Sequence, residues 1–278
     1  MTTHGEGIFL DMSEADYRAA PGVNVSSLKD MRLSPAHYKH WREAPDPDKA
    51  NAALIMGTLV HRAKLEPHKF CYAVRPEQFD SWRTKESKSW RDSQKLPVVT
   101  PDEEQAILRC VDALTGLEVF DGVTLDDLCE IGNTEVKCFK RHPRTGLMLK
   151  GASDLVATDE NGTTYVIDLK TVPEEGASED KFARKIADLN YHMQAAFYAD
   201  LFETDQFIFI AVEKAGYPGV AAWQLDTEDL EIGRRTNEAL LEQLSRCIKT
   251  DQWNGYRKGV RTIRMPSWKR RQDGKDLE

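Results

Sequence analysis

The sequence predicts an α/β layer fold, a central mixed β-sheet flanked by helices, and two patterns predict it. Strand-like runs cluster in the middle of the chain, from about Thr134 to Thr171 and again in "QFIFIAVE" and "GVAAWQL". Long helical patterns flank them, to about Leu114 on one side and over roughly Ser178 to Phe202 and Thr227 to Lys249 on the other. Strands grouped between long helices bury their apolar faces by packing as a helix-covered sheet.

The elements follow in order. Ser13 precedes a short helical pattern with Asp16 three residues on, Ser26 or Ser27 opens a second helix, and Ser34 with Pro35 starts a third. "EAPDPDKAN", Glu43 to Asn51, is the most linker-like piece. Residues 51–66 read as a helix stopped by Pro67, and Thr100, Pro101 and Glu103 open the helix that runs to about Leu114. The period then changes. "TEVKCFKR", a turn at "HPRTG", "LMLKGASDLVA", a turn at "DENG" and "TTYVIDLKT" read as three adjacent strands of a meander. No internal repeat or low-complexity tract interrupts the chain, so residues 1–278 are expected to form one domain with a basic tail from about residue 256 to 278.

At 278 residues and 40% hydrophobic content the chain can bury a sizeable core. Its 38 Lys and Arg against 46 Asp and Glu give a formal charge of -8, which argues against a strongly basic nucleic-acid binder as a whole. Local patches run the other way: "WRTKESKSWRDSQK" from Trp82, and Tyr256 to Arg271 with seven Lys or Arg and no acid. On charge alone a solvated rim explains these runs as well as phosphate contact does. Five cysteines without a C-x-x-C exclude a zinc ribbon and disfavour an iron–sulfur cluster. With no signal peptide and no apolar run near 18 residues, the expectation is a cytoplasmic protein with free thiols and no membrane contact.

The chemistry concentrates around "YVIDLKT". Asp168 and Lys170 are two apart on a strand and project to one face, while Leu169 points into the core. If the strands pair through the "DENG" turn, Asp154 lies beside Asp168, and two carboxylates come within reach of one hard cation such as Mg²⁺. Lys170 beside them could then orient or deprotonate a water that attacks phosphorus. Taken alone, an Asp-x-Lys triplet is more often a salt bridge at an exposed strand end. His61 shares a helical stripe with Leu54, Gly57 and Leu65, which makes it a core histidine by default and a metal-ligand candidate only next to the carboxylates. Gln194 and Tyr198, four apart in "YHMQAAFYAD", share a helix face and fit either ordinary packing or support of the site.

The combination of Asp, Asp-Leu-Lys-Thr and Gln-x-x-x-Tyr resembles the PD-(D/E)xK (restriction-endonuclease-like) nuclease superfamily, in its RecB-like exonuclease branch and within it the RecE-type exonuclease VIII domains. The resemblance runs over nearly the whole chain, from "GIFLDMSEADYRAAPGVNVSSLKDMRLSPAHYKHW" through "GTLVHRAKLEP", "GASDLVA", "VIDLKT" and "YHMQAAFYAD" to Trp253 and "MPSW". It implies a Mg²⁺-dependent exonuclease, with Mn²⁺ able to substitute, that degrades the 5′-ended strand of linear duplex DNA and leaves 3′ overhangs for single-strand annealing. It also implies a ring-shaped homo-oligomer, a tetramer, that binds double-stranded DNA ends and works with a RecT-like annealing partner. Carried over residue by residue, His61, Asp154, Asp168 and the Leu169 carbonyl match metal ligands, Lys170 matches the catalytic lysine, and Gln194 and Tyr198 match the supporting helix motif; Glu135 is a candidate for a further supporting acid, its role left open.

A helix start at Ser26 and Ser27 is a candidate pocket for a 5′ phosphate, and Arg264, Lys269, Arg270 and Arg271 are expected to line a basic DNA channel. The alternatives are an endonuclease or single-strand nuclease on the same fold, or a non-catalytic DNA-end-binding protein.

Overall fold

The alternating apolar pattern of the mid-chain runs builds one six-stranded sheet in the computed structural model, which describes residues 5–43, 52–120 and 122–275. Strands β1 (Gly7–Phe9), β2 (Asn133–Arg141), β3 (Met148–Thr158), β4 (Thr164–Val172), β5 (Gln206–Glu213) and β6 (Val220–Gln224) lie side by side in that order. Every neighbouring pair is antiparallel except β4 with β5, so the sheet is mixed as expected. Two short strand pairs, Ala73–Val74 with Val98–Val99 and Glu118–Phe120 with Val123–Thr124, lie outside it.

The helices are α1 (Glu14–Ala19), α2 (Val25–Met31), α3 (Pro35–Glu43), α4 (Ala52–Leu65), α5 (Lys85–Ser93), α6 (Pro101–Leu114), α7 (Leu125–Ile131), α8 (Glu179–Asp188), α9 (Tyr191–Phe202), α10 (Thr227–Thr250) and α11 (Ser267–Lys275). Both faces of the sheet are covered, and β5 shows why its sequence is apolar throughout. Its Phe207, Phe209 and Ala211 pack in one core with Met193, Ala196 and Phe197 of α9 and Leu241 and Leu244 of α10. Its Ile208, Ile210 and Val212 pack in the other with Leu59 and Val60 of α4 and Ile107 and Cys110 of α6. Each of the Phe, Leu, Ile, Val and Met side chains among them contributes roughly 1.5–3 kcal/mol by leaving water.

Two glycines let the helices approach closely enough to reach the site. A Cβ on Gly151 of β3 would stand 2.7 Å from Leu201 Cδ1 and 3.4 Å from the Tyr198 ring, so a side chain there would force Leu201 of α9 to shift. A Cβ on Gly57 would stand 3.2 Å from the Thr171 hydroxyl, a tight contact between α4 and β4 that would need the Thr171 side chain to give by a few tenths of an ångström.

Several local expectations hold. Ser13 caps α1 by accepting from the Asp16 N–H, and Thr100 and Glu103 close a capping box on α6. The "DENG" turn closes on Asp159, whose carboxylate accepts from the Asn161 and Thr163 N–H groups, with Gly162 at φ +81°. Three expectations need correction. The helix expected to open at Ser26 or Ser27 instead has Asn24 as its N-cap, because the Asn24 side chain accepts from the Ser27 N–H. The helix expected over 178–202 is two helices, since Asn190 takes a left-handed conformation (φ 53°) between α8 and α9. Among the described side chains of α4 the buried ones are Leu59 and Val60, while His61 is half-buried. The linker-like piece after Glu43 lies outside the described residues. Strand β1 and helices α5, α7 and α11 had no counterpart in the sequence reading. Among the described residues no helix is long and apolar enough to cross a membrane.

Candidate active site

β3 and β4 pair from Thr158↔Thr164 to Leu155↔Ile167, and there the ladder ends. One further step of that register would set Asp154 opposite Asp168. Instead the strands part, and the Asp154 Oδ2 accepts a 2.7 Å hydrogen bond from the Leu169 N–H. A carboxylate thus replaces the missing strand partner of a backbone donor. In an extended strand a residue's N–H and C=O leave on the same edge, so the Leu169 carbonyl faces this opening as well. On the other side of β3, Val136↔Ser153 and Thr134↔Leu155 pair while Glu135 between them, facing Asp154 in the register, sits at φ +54°. A non-glycine residue in that region stores backbone strain, and such strain gathers at functional sites.

Asp168 and Lys170 project from one face of β4, with Lys170 Nζ 2.5 Å from Asp168 Oδ2. His61 of α4 brings Nδ1 to 3.5 Å from Asp154 Oδ2. All four side chains are partly exposed, from 13% for Asp168 to 26% for His61, so the cluster is open to a substrate. Its charges are unequal. Burial works against the Asp154 charge, but His61, Lys170 and the Leu169 N–H outweigh it and hold that carboxyl below the usual carboxylate range. Burial and the neighbouring Asp154 charge push Asp168 up, against Lys170 and His61. Lys170 and His61 both stay protonated to higher pH than usual, because the carboxylates outweigh the burial that opposes their charge.

The α9 face supports this centre. Gln194 Nε2 donates to Asp168 Oδ1 at 2.7 Å, and the Tyr198 hydroxyl donates to the Ala152 carbonyl at 2.8 Å, two residues before Asp154. Two groups went unread in the sequence. Tyr191, at the start of α9, has Lys170 Nζ 5.2 Å from its ring centroid and Lys29 of α2 at 5.3 Å. Burial and the Lys170 charge lower Lys29 to about 8. Tyr191 was within reach, three residues before Gln194; nothing local marks Lys29. Glu135 bonds to the buried Lys137 at 2.6 Å and, with His61 and Asp154, lines a cleft of about 890 Å³.

The donor set suits a hard divalent cation. Asp168 Oδ2 is buried without a well-directed hydrogen bond despite its close ion pair, two carboxylates and a backbone carbonyl face the parted strands, and oxygen is the preferred donor for Mg²⁺. The set is not closed around one point: among the described residues no three His, Cys, Asp or Glu side chains converge as a cation cage. Asp154 is turned to Leu169 and His61, and Asp168 to Gln194 and Lys170.

The expected DNA contacts lie elsewhere. Ser27 is buried, its N–H is held by the Asn24 side chain, and its hydroxyl donates to the Asn24 carbonyl at 2.8 Å, so it offers no group to a phosphate; Ser26 is exposed. α2, at seven residues, is also a short helix for an anion site. Arg264 lies in the irregular segment before α11, and Lys269, Arg270 and Arg271 lie on α11, with Arg264, Arg270 and Arg271 exposed. In the other basic run Arg91 lies over the Trp82 ring at 5.7 Å and Trp82 stacks on Trp90, while Arg75, from before the run, lies over Trp82 at 5.5 Å.

A mixed sheet whose strands part around two aspartates, with an Asp-x-Lys lysine on the same face, is the PD-(D/E)xK core. The chain belongs to the family described as "PDDEXK-like domain of unknown function (DUF3799)", whose model matches residues 24–266. No curated protein matches it in sequence. Among solved structures it is similar to a "Putative exonuclease" from Eubacterium rectale, with a TM-score of 0.56 and 14% identity over 95% of this chain and 98% of that one. At that identity the likeness shows the fold alone. SSO0001 aligns at a TM-score of 0.35 and 14% identity, over 83% of this chain and 76% of that one, and carries no argument.

Proposed function

We propose that the chain is a divalent-metal-dependent nuclease that hydrolyses phosphodiester bonds, and within that class a 5′-to-3′ exonuclease on linear duplex DNA ends, of the RecE type, that leaves 3′ overhangs. The observation that carries the nuclease reading is that, where β3 and β4 part, Asp154 is held on the Leu169 N–H, between Asp168 and Lys170, which form a close ion pair on one face of β4. The motif order supports the exonuclease assignment, and the Eubacterium rectale protein of like fold is itself described as a "Putative exonuclease".

Asp154, Asp168, the Leu169 carbonyl and His61 would hold Mg²⁺ or Mn²⁺, which supplies Lewis acidity toward a phosphodiester oxygen and neutralises the carboxylates. The protein's own groups do the rest. Gln194 fixes the Asp168 carboxylate through Oδ1 and leaves Oδ2 facing Lys170. Lys170 is a cation here because Asp168 and Asp154 hold its proton, so it orients a phosphate or a water by charge. It becomes a base only when those two carboxylates no longer claim its proton. The Tyr198 hydroxyl, on the Ala152 carbonyl, keeps β3 in place behind Asp154. The same reading places the protein in the cytoplasm, as a homo-oligomeric ring acting with a single-strand-annealing partner.

Duplex DNA labelled at either 5′ or 3′ ends tests the polarity. The reading expects early release of the 5′ label as mononucleotide or short product, late release of the 3′ label, and an intact covalently closed circle. Linearisation of the circle would replace it with an endonuclease.

A further inference from the structure

A cavity of about 1400 Å³ lies apart from the carboxylate centre. It is a groove between the end of α2, one face of α10 and the chain from Gln252 to Arg261. Arg32, Arg235, Arg246, Arg257, Lys258 and Arg261 line it, and no Asp or Glu does. In a chain with a formal charge of -8 that separation is not a product of composition.

The contrast with neighbouring arginines is sharper. Arg234, one residue from Arg235, is bound by Asp200, Asp205 and Glu231, and Arg144 by Glu238 and Glu242. None of the six groove cations ion-pairs with an acid of the described residues, and all six are exposed. Arg235 and Arg246 stand on one face of α10, eleven residues or about 16 Å apart, which matches a few successive phosphates of an extended strand. Tyr256, 72% exposed at the groove, offers a ring for a base to stack on. The groove also leads toward the active site: Arg32 donates to Asn190, the residue before Tyr191, whose ring bears Lys170.

We propose that this groove binds single-stranded DNA, its phosphates on the six cations and a base on Tyr256, as the path of a strand leaving or entering the carboxylate centre. The link to cleavage rests on the nuclease reading; the binding does not. A duplex presents no unstacked base to Tyr256, which is why a single strand is the occupant.

The test is fluorescence anisotropy of the full chain in chelator, with a labelled single-stranded oligodeoxynucleotide and a blunt duplex of the same sequence. Arg235→Ala with Arg246→Ala should weaken single-strand binding about tenfold and reduce the slope of log affinity on log salt by about 1.4, two contacts at about 0.7 each. Duplex binding should stay within about twofold. Tyr256→Ala should cost about fivefold or more, and Tyr256→Phe should restore it. Unchanged single-strand affinity and salt slope would overturn the groove, and an equal loss for the duplex would overturn its single-strand assignment. Hydrolysis of bis(p-nitrophenyl) phosphate, too small to reach the groove, should be unchanged in the double variant. Absence of metal-dependent hydrolysis in the wild type would instead overturn the nuclease reading and leave the groove to stand on its binding data.

Discussion

The carboxylate of Asp154 holds the backbone N–H of Leu169 at 2.7 Å, across the point where β3 and β4 cease to pair. One residue thus closes the end of a ladder and presents a carboxylate to the opening the ladder leaves. Asp154→Ala strands a backbone donor and should cost about 1–3 kcal/mol of stability in chelator, besides abolishing hydrolysis. Denaturant titration of both proteins checks it. Equal stability would mean that the parted strands do not depend on this contact.

Asp154 and Asp168 should respond to acid in opposite senses. The folded value of Asp154 is depressed, so its contribution is present above the unfolded carboxylate value and is lost as pH falls through the folded one. The folded value of Asp168 is raised, so its contribution is present at low pH and is lost as pH rises through that value. Asp168→Asn should therefore raise the melting temperature at neutral pH in chelator while destroying activity, the exchange of function for stability expected at a charged site. A lowered melting temperature would show that the Lys170 and Gln194 contacts outweigh the repulsion.

Gln194 acts through Asp168, not on substrate. Gln194→Ala should cost about 10–100-fold in activity and raise the metal concentration needed for half-maximal rate. Gln194→Glu, which sets another carboxylate against Asp168, should cost at least as much. A full rate at unchanged metal demand would remove Gln194 from the site.

The thiols should separate by environment. Cys71 is exposed, Cys129 is half-buried with its thiol pushed up by burial, and Cys110, Cys138 and Cys247 are buried, with burial pushing Cys138 up to about 11. A thiolate-selective disulfide reagent at neutral pH should find one fast site in the native protein, and Cys71→Ser should remove it. A fast phase surviving that substitution would contradict the burial assigned to the other four thiols.

The fold was legible where one strong period controls a segment. The meander, the Asp159 turn and the Thr100 cap are local, and they formed as read. That the short turn brings Asp154 to the strand carrying Asp168 was legible for the same reason, but the parting of the strands there and the Asp154 contact to the Leu169 N–H were not. The break at Asn190 was not, because apolar spacing continues across it and only the left-handed residue interrupts the helix. The Asn24 cap was missed because three polar residues compete at Asn24, Ser26 and Ser27, and tertiary packing buries Ser27. Lys29 and the basic groove could not be read at all. Their cations come from α2, α10 and the chain after residue 251, and only the folded chain brings them together.

The central claim is that Asp168 and Lys170 form the hydrolytic centre, and metal-dependent digestion of linear duplex DNA by the wild type, Asp168→Ala and Lys170→Ala tests it most directly. The wild type should digest the DNA with Mg²⁺ or Mn²⁺ and stop in chelator, while each variant, folded by circular dichroism, should lose at least about a thousandfold in rate. Digestion by either variant at the wild-type rate would contradict the claim.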